Sequence, residues 1–127
     1  MRSSASLALA LAQTLGACGQ DTMTGGDDGM DPPSPDVCEK SYLDYGNFGK
    51  PFALDWCRGC HSSAVPVNMR QKAPAGVDFD TLADVQHWRE RIAIRATGAM
   101  PTMPPAGGPS EEERVLLAEW IGCGAAK

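Results

Sequence analysis

Aromatic residues are scarce in this chain of 127 residues: three Phe, two Tyr and three Trp. The length suits one domain, and with so few rings that domain has a thin core of its own. Long apolar runs are absent after Cys18, so no transmembrane helix is expected there. Positive charge is not in excess either. Lys and Arg number 11 against 16 Asp and Glu, a formal net charge of −5, which is not the pattern of a nucleic-acid-binding domain. No run of β-branched residues precedes Trp56, which speaks against a βαβ unit at that point. Nor does any carboxylate or Ser/His constellation suited to covalent catalysis stand out.

What is present begins with an apolar run, Leu7 to Ala17 (LALALAQTLGA), behind Arg2. The run is too short to span a bilayer as a mature helix and fits the apolar region of a secretory signal. Residues Leu15 to Cys18 (LGAC) resemble a bacterial lipobox, which implies a signal peptide over 1–17 and a lipidated Cys18. The alternative is a retained short helix, but the run has no amphipathic period with which to pack. Residues 18–35 are rich in Gly, Pro and Asp and lack an apolar period. Such a stretch cannot bury enough surface to offset its ordering entropy, so it is expected as a flexible tether. From Gly19 to Pro35 the coil would span on the order of 20–25 Å. Asp21, Asp27, Asp28 and Asp31 concentrate negative charge in the tether, while residues 36–127 carry 12 acidic and 10 basic residues, a net −2.

The five cysteines are Cys18, Cys38, Cys57, Cys60 and Cys123. With Cys18 lipidated and Cys57 and Cys60 in one motif, Cys38 and Cys123 remain. In an exported protein a leftover pair invites a disulfide, two packed free thiols being the alternative. Cys57, Cys60 and His61 lie in WCRGCH, a spacing used by redox dithiols, by half of a zinc site and by covalent haem attachment. A structural zinc needs about four protein ligands. Beyond the motif the mature chain offers Cys38, Cys123 and His87 as Cys/His ligands, and the disulfide would take two of them. A thioredoxin-like dithiol expects a sheet beside its helix, which the neighbouring residues do not provide. Haem accounts for all three residues. The two thiols, three positions apart on a helical turn, can each add to one porphyrin vinyl group, and His61 then reaches the iron as proximal ligand.

Helical patterns dominate from residue 36, so an all-α domain is expected over 36–127. Asp36 can cap a short helix through Cys38, Tyr42 and Leu43, which Gly46 and Gly49 then break. Phe52 to Cys60 is compact enough for a turn or two of helix. In residues 79–99 Asp80 can cap, and Leu82, Val85, Ile92 and Ala96 recur near helical spacing, with Asp84, Arg91 and Arg95 on the far face and Gly98 at the end. Ser110 and Glu113 form a capping box, with Glu111 and Glu112 suited to the first turn. Leu116, Trp120 and Cys123 mark one face of that last helix, with Leu117 and Ile121 beside it. Between these helices, Pro101, Pro104 and Pro105 favour an extended loop.

A six-coordinate electron-transfer haem also needs a distal ligand, for which Met69, Met100, Met103 and His87 are candidates. The stretch Cys57-Arg58-Gly59-Cys60-His61, followed by Met103-Pro104-Pro105 and a final helix ending LLAEWIGCG, resembles a class I cytochrome c domain. More narrowly, the chain is similar to bacterial haem-binding lipoproteins that share CxxCHSS, the segment Ala73 to Asp80 (APAGVDFD), a terminal MPP and a W-I-x-x-G ending. The resemblance spans about residues 36–125. It implies a small cytochrome c-like helical domain wrapped around one covalent haem c, with Cys57 and Cys60 as thioether attachments, His61 proximal and Met103 distal. Met100 is the alternative ligand, because MPTMPP is doubled, but Met103 carries the Pro-Pro of the family. Met69 and the unused member of the pair are expected as core filler, and His87 as a surface or boundary residue. Arg70, Arg91 and Arg95 read as a solvated helix face, with propionate pairing as the alternative. By resemblance, the Pro66 carbonyl is a candidate acceptor for the free imidazole nitrogen. Trp56 and Trp120 are expected in the core or against the haem.

These features imply a membrane-tethered carrier, not an enzyme, that passes single electrons between a redox donor and a redox acceptor protein. It is expected as an exported, lipid-anchored monomer facing the periplasm or cell exterior. The competing class is a haem sensor or peroxidase-like module with an open or displaceable sixth position. A weaker third is a non-haem lipoprotein with a zinc or disulfide motif.

Overall fold

Side-chain caps open the two longest helices of the described residues and the wound segment that begins at Tyr45. The computed structural model describes residues 31–126, so the expected signal peptide, Cys18 and the tether up to residue 30 lie outside the described residues. Helix α1 (Pro35–Lys40) has Pro at its first position, where the missing N–H costs nothing, and Ser34 ahead of it. Asp36 lies in the first turn and not at the cap. The backbone leaves the helix at Ser41, so Tyr42 and Leu43 fall outside it, shorter than expected. The reason is physical: α1 buries none of its residues, and an unpacked helix of this length does not propagate.

Residues 45–57 form one wound segment. Asp44 Oδ1 accepts from the Asn47 N–H (2.7 Å) while Asn47 Oδ1 accepts from the Asp44 N–H (2.9 Å), a reciprocal cap. A wide turn, Tyr45–Gly49, leads into α2 (Lys50–Phe52), and a second wide turn, Ala53–Cys57, follows. Their signature is a hydrogen bond five residues back, Gly49 N–H to the Asp44 carbonyl (3.1 Å) and Arg58 N–H to the Ala53 carbonyl (2.8 Å). Contrary to the expectation from sequence, Gly46 and Gly49 do not break a helix but lie within this wide turn. Gly49 is buried where a β-carbon would overlap the Trp120 ring, so its lack of a side chain seats the indole.

Helix α3 (Leu82–Ala96) starts one residue later than expected. Its cap is Thr81, whose Oγ1 accepts from the Asp84 N–H (3.2 Å), and Asp84 Oδ2 returns the bond to the Thr81 N–H (2.9 Å). Asp80 is engaged elsewhere. Val85 and Ala96 are buried, Leu82 and Ile92 pack at the edge of the core, and Arg91 and Arg95 are exposed, as the periodicity predicts. Helix α4 (Glu111–Gly122) has the expected Ser110/Glu113 box, with bonds of 3.2 and 2.8 Å. Leu117, Trp120 and Ile121 are its buried face.

α3 packs on α4, and Leu43, Phe52 and Phe79 complete the core. Trp120 is at its centre. Tyr45 stacks on the indole at 6.4 Å, Phe48 meets it edge-on at 6.0 Å, and Nε1 donates to the Ala126 carbonyl (3.1 Å). Cys38 of α1 and Cys123 at the end of α4 form a disulfide, with Cα atoms 5.3 Å apart. Among the described residues there are no strands, and the fold is all-α. Among them, too, no helix is long and apolar enough to cross a membrane.

Candidate functional site

The wound segment 45–57 delivers Cys57 at its end, and a tight turn follows. The N–H groups of Cys60 and His61 both donate to the Cys57 carbonyl, at 3.1 and 2.9 Å. Cys57, Cys60 and His61 thus share one turn, and both thiols are free and half-buried. Cys57 packs against the core, and burial pushes its thiol up to about 12. It is protonated at neutral pH, the reverse of the lowered value that makes a thiol nucleophilic in a redox pair.

His61 is held by three contacts. Its Nδ1–H donates to the Val77 carbonyl (2.9 Å), its own carbonyl accepts from the Phe79 N–H (2.9 Å), and its ring stacks on Phe79 at 4.8 Å. A carbonyl only accepts, so this bond fixes the ring proton on Nδ1 and leaves the Nε2 lone pair available to a metal. The acceptor is Val77 and not Pro66. The Pro66 carbonyl is taken by the Met69 N–H (2.8 Å), closing the short turn Val67–Met69.

Between His61 and Phe79 the chain forms a loop organised from within by Arg70. The sequence placed Arg70 on a solvated helix face, but it is only 2% exposed and lies in the loop. Its Nη1 donates to the Ser62 carbonyl (2.6 Å), Nε to Ala73 (3.4 Å), and Nη2 to Pro74 (2.9 Å) and Val77 (3.0 Å). Asp78 Oδ1 is 2.7 Å from the same Nη2. Both Nη2 hydrogens point at carbonyls, so Asp78 Oδ1 supplies compensating charge without itself accepting a hydrogen bond. The loop holds a costly backbone: Gln71 (φ 51°) and Lys72 (φ 73°) are consecutive left-handed residues without being glycine.

Asp80 ties the motif turn to the far end of this loop. One oxygen accepts from Arg58 Nε (3.0 Å), the other from the Ser63 N–H and Oγ (both 2.8 Å). The Ser62 hydroxyl, the Ser63 N–H and hydroxyl, and the Arg58 guanidinium hold its carboxyl well below the usual range.

Of the methionines, Met103 is half-buried against the core, whereas Met69 is 63% and Met100 78% exposed. Neither exposed methionine is the core filler that was expected. Met103 is pinned through its backbone: its N–H donates to the Arg95 carbonyl (2.8 Å), and its carbonyl accepts from Arg114 Nη1 (2.9 Å). The same Nη1 donates to the Ala96 carbonyl (2.7 Å). Trp56, half-buried beside Cys57, donates from Nε1 to Glu113 Oε1 (3.3 Å). His87 is exposed and meets Trp88 edge-on. Among the described residues no group of three or more His, Cys, Asp or Glu is placed to hold a metal ion, and Cys38 and Cys123 are bonded to each other.

The sequence did not assign site roles to Val77, Asp78, Phe79 and Arg114, and it marked Glu113 only as a helix cap. The alternation Val77-Asp78-Phe79-Asp80 was a legible sign of a two-faced segment. Arg114 also carried a sign, because a cation in the first turn of a helix runs against its macrodipole and needs another reason to be there. In comparisons with protein-family models, curated proteins and solved structures, no match was found.

Proposed function

We propose that this chain is a mono-haem c-type cytochrome carrying single electrons between redox proteins, tethered to a membrane through Cys18. The observation that carries the proposal is the motif turn: two free thiols and an imidazole with Nδ1 tied to Val77 and Nε2 left over, all on one turn. That donor set fits covalent haem, with Cys57 and Cys60 as thioether attachments and His61 as proximal ligand. Bound haem would supply an Fe(III)/Fe(II) couple, its potential raised by a methionine paired with His.

The residues of the chain do the rest. Val77 orients the imidazole, and Phe79 supports one face of it. Burial of Met103, with its backbone held by Arg95 and Arg114, favours it over Met100 as distal ligand. The cytochrome c-like architecture and the export and lipid anchor belong to the same proposal, and rest on the motifs and the helical order.

The test is an absorption spectrum of the exported full chain, taken before and after denaturation and acid extraction. The expected result is a sharp α-band in the reduced protein and a chromophore that stays with the polypeptide. A chain that retains no haem ends the proposal. Rapid uptake of carbon monoxide by the reduced protein at neutral pH would instead favour a sensor or peroxidase-like module with a displaceable sixth ligand.

A further inference from the structure

The Val77 carbonyl accepts two hydrogen bonds at once, from His61 Nδ1–H at 2.9 Å and from Arg70 Nη2 at 3.0 Å. One donor is an imidazole with its other nitrogen free. The other is a buried cation that also donates to Ser62, Ala73 and Pro74. We infer that Arg70 is a positioning residue for His61. Its guanidinium holds the Val77 carbonyl where Nδ1–H meets it and, by sharing that oxygen, moderates it as an acceptor.

The physical chain is short. A carbonyl has two lone pairs, and a cation on one draws electron density from the other, so the bond to Nδ1–H is weaker than with Val77 alone. The acceptor at the remote nitrogen of a metal-binding histidine sets the basicity of the ligating nitrogen. A weaker bond leaves Nε2 less electron-donating. Asp78, 2.7 Å from the same Nη2, opposes this by offsetting part of the positive charge. Arg70 and Asp78 therefore act on His61 with opposite sign. The consecutive left-handed residues Gln71 and Lys72 turn the chain so that Arg70 folds back into its own loop, a conformation sustained by these bonds. Lysine could not replace it, because a point charge cannot span several carbonyls in a fixed fork.

The consequence for potential rests on the proposed haem attachment, whereas the effect on Nδ1–H does not. The experiment uses the full chain, labelled with ¹⁵N and reduced, as wild type, Asp78→Asn and Arg70→Met. Two quantities are read: the His61 Nδ1–H resonance and the reduction potential. Asp78→Asn leaves every guanidinium-to-carbonyl bond in place and frees the positive charge, so the resonance is expected upfield and the potential higher. Arg70→Met removes the cation, and both shifts are expected to reverse. No shift in Asp78→Asn, or a shift of the same sign in both variants, overturns the inference. If Arg70→Met does not fold, Asp78→Asn decides alone. A wild-type chain without covalent haem overturns the proposed function only, since the Nδ1–H resonance still reads the Arg70–Val77–His61 link.

Discussion

Gly49 lies where any β-carbon would enter the Trp120 indole, at the centre of the core. A methyl group there must move the ring or the wound segment 45–57, and overpacking of this kind costs about 1–3 kcal/mol. Gly49→Ala is therefore expected to unfold at lower urea with an unchanged slope, and an unaltered midpoint would refute the packing argument. Asp80 makes a different prediction. Its folded carboxyl sits below its unfolded value, so the folded state binds fewer protons than the unfolded one. The resulting stability is present above about pH 4 and lost as pH falls further through the folded value. Asp80→Asn lacks this component. Urea midpoints measured down the acid limb should fall more steeply in the wild type than in the variant, and parallel curves would rule the linkage out.

At the scale of elements, the first turn of α4 reaches both sides of the candidate site. Glu113 receives the Trp56 N–H one residue before Cys57, and Arg114 holds the carbonyls of Ala96 and Met103. Arg114→Met leaves those two acceptors without their donor, a loss of about 1–3 kcal/mol. In a haem-loaded chain it is also expected to loosen Met103, seen as faster carbon monoxide uptake and a weaker charge-transfer band of methionine-ligated ferric haem. Glu113→Ala removes a helix cap and the Trp56 bond, costing about 1 kcal/mol, but should leave that band intact. If both variants alter the band alike, Arg114 has no special link to Met103. The same elements divide what the sequence discloses from what it conceals. The Ser110/Glu113 box and the apolar face of α3 were legible because a cap and a periodicity are local. Gly49 was not, because its meaning depends on Trp120, far along the chain. Arg70 was misplaced for the same reason: a charged residue reads as solvated until a loop wraps carbonyls around it. That Cys57, Cys60 and His61 share one turn was legible because it follows from spacing alone, whereas the burial that separates Met103 from Met100 depends on contacts made far along the chain.

For the whole molecule the question is what keeps the N-terminal part of the domain in place. α1 buries no residue, so hydrophobic packing contributes little to holding it. Pro33 lies beside Gly122, where a β-carbon would collide with its ring, so this residue, expected in the tether, already touches the end of α4. The firmest tie is covalent. The Cys38–Cys123 disulfide closes a separation of 85 residues, which encloses the motif, the Arg70 loop, α3 and the Met103 loop. On the chain-entropy model a loop of this size contributes about 4–5 kcal/mol, the upper end of what a disulfide supplies. For a domain with few aromatic residues that is a large share of the roughly 5–15 kcal/mol typical of folded domains. Replacing both cysteines with serine should therefore lower the urea midpoint strongly. It should also release α1 from α4, so that amide exchange rises over residues 35–40 while α3 stays comparatively protected. If the double variant keeps both the midpoint and the protection of α1, noncovalent contacts hold that end of the chain and the disulfide is incidental to its stability.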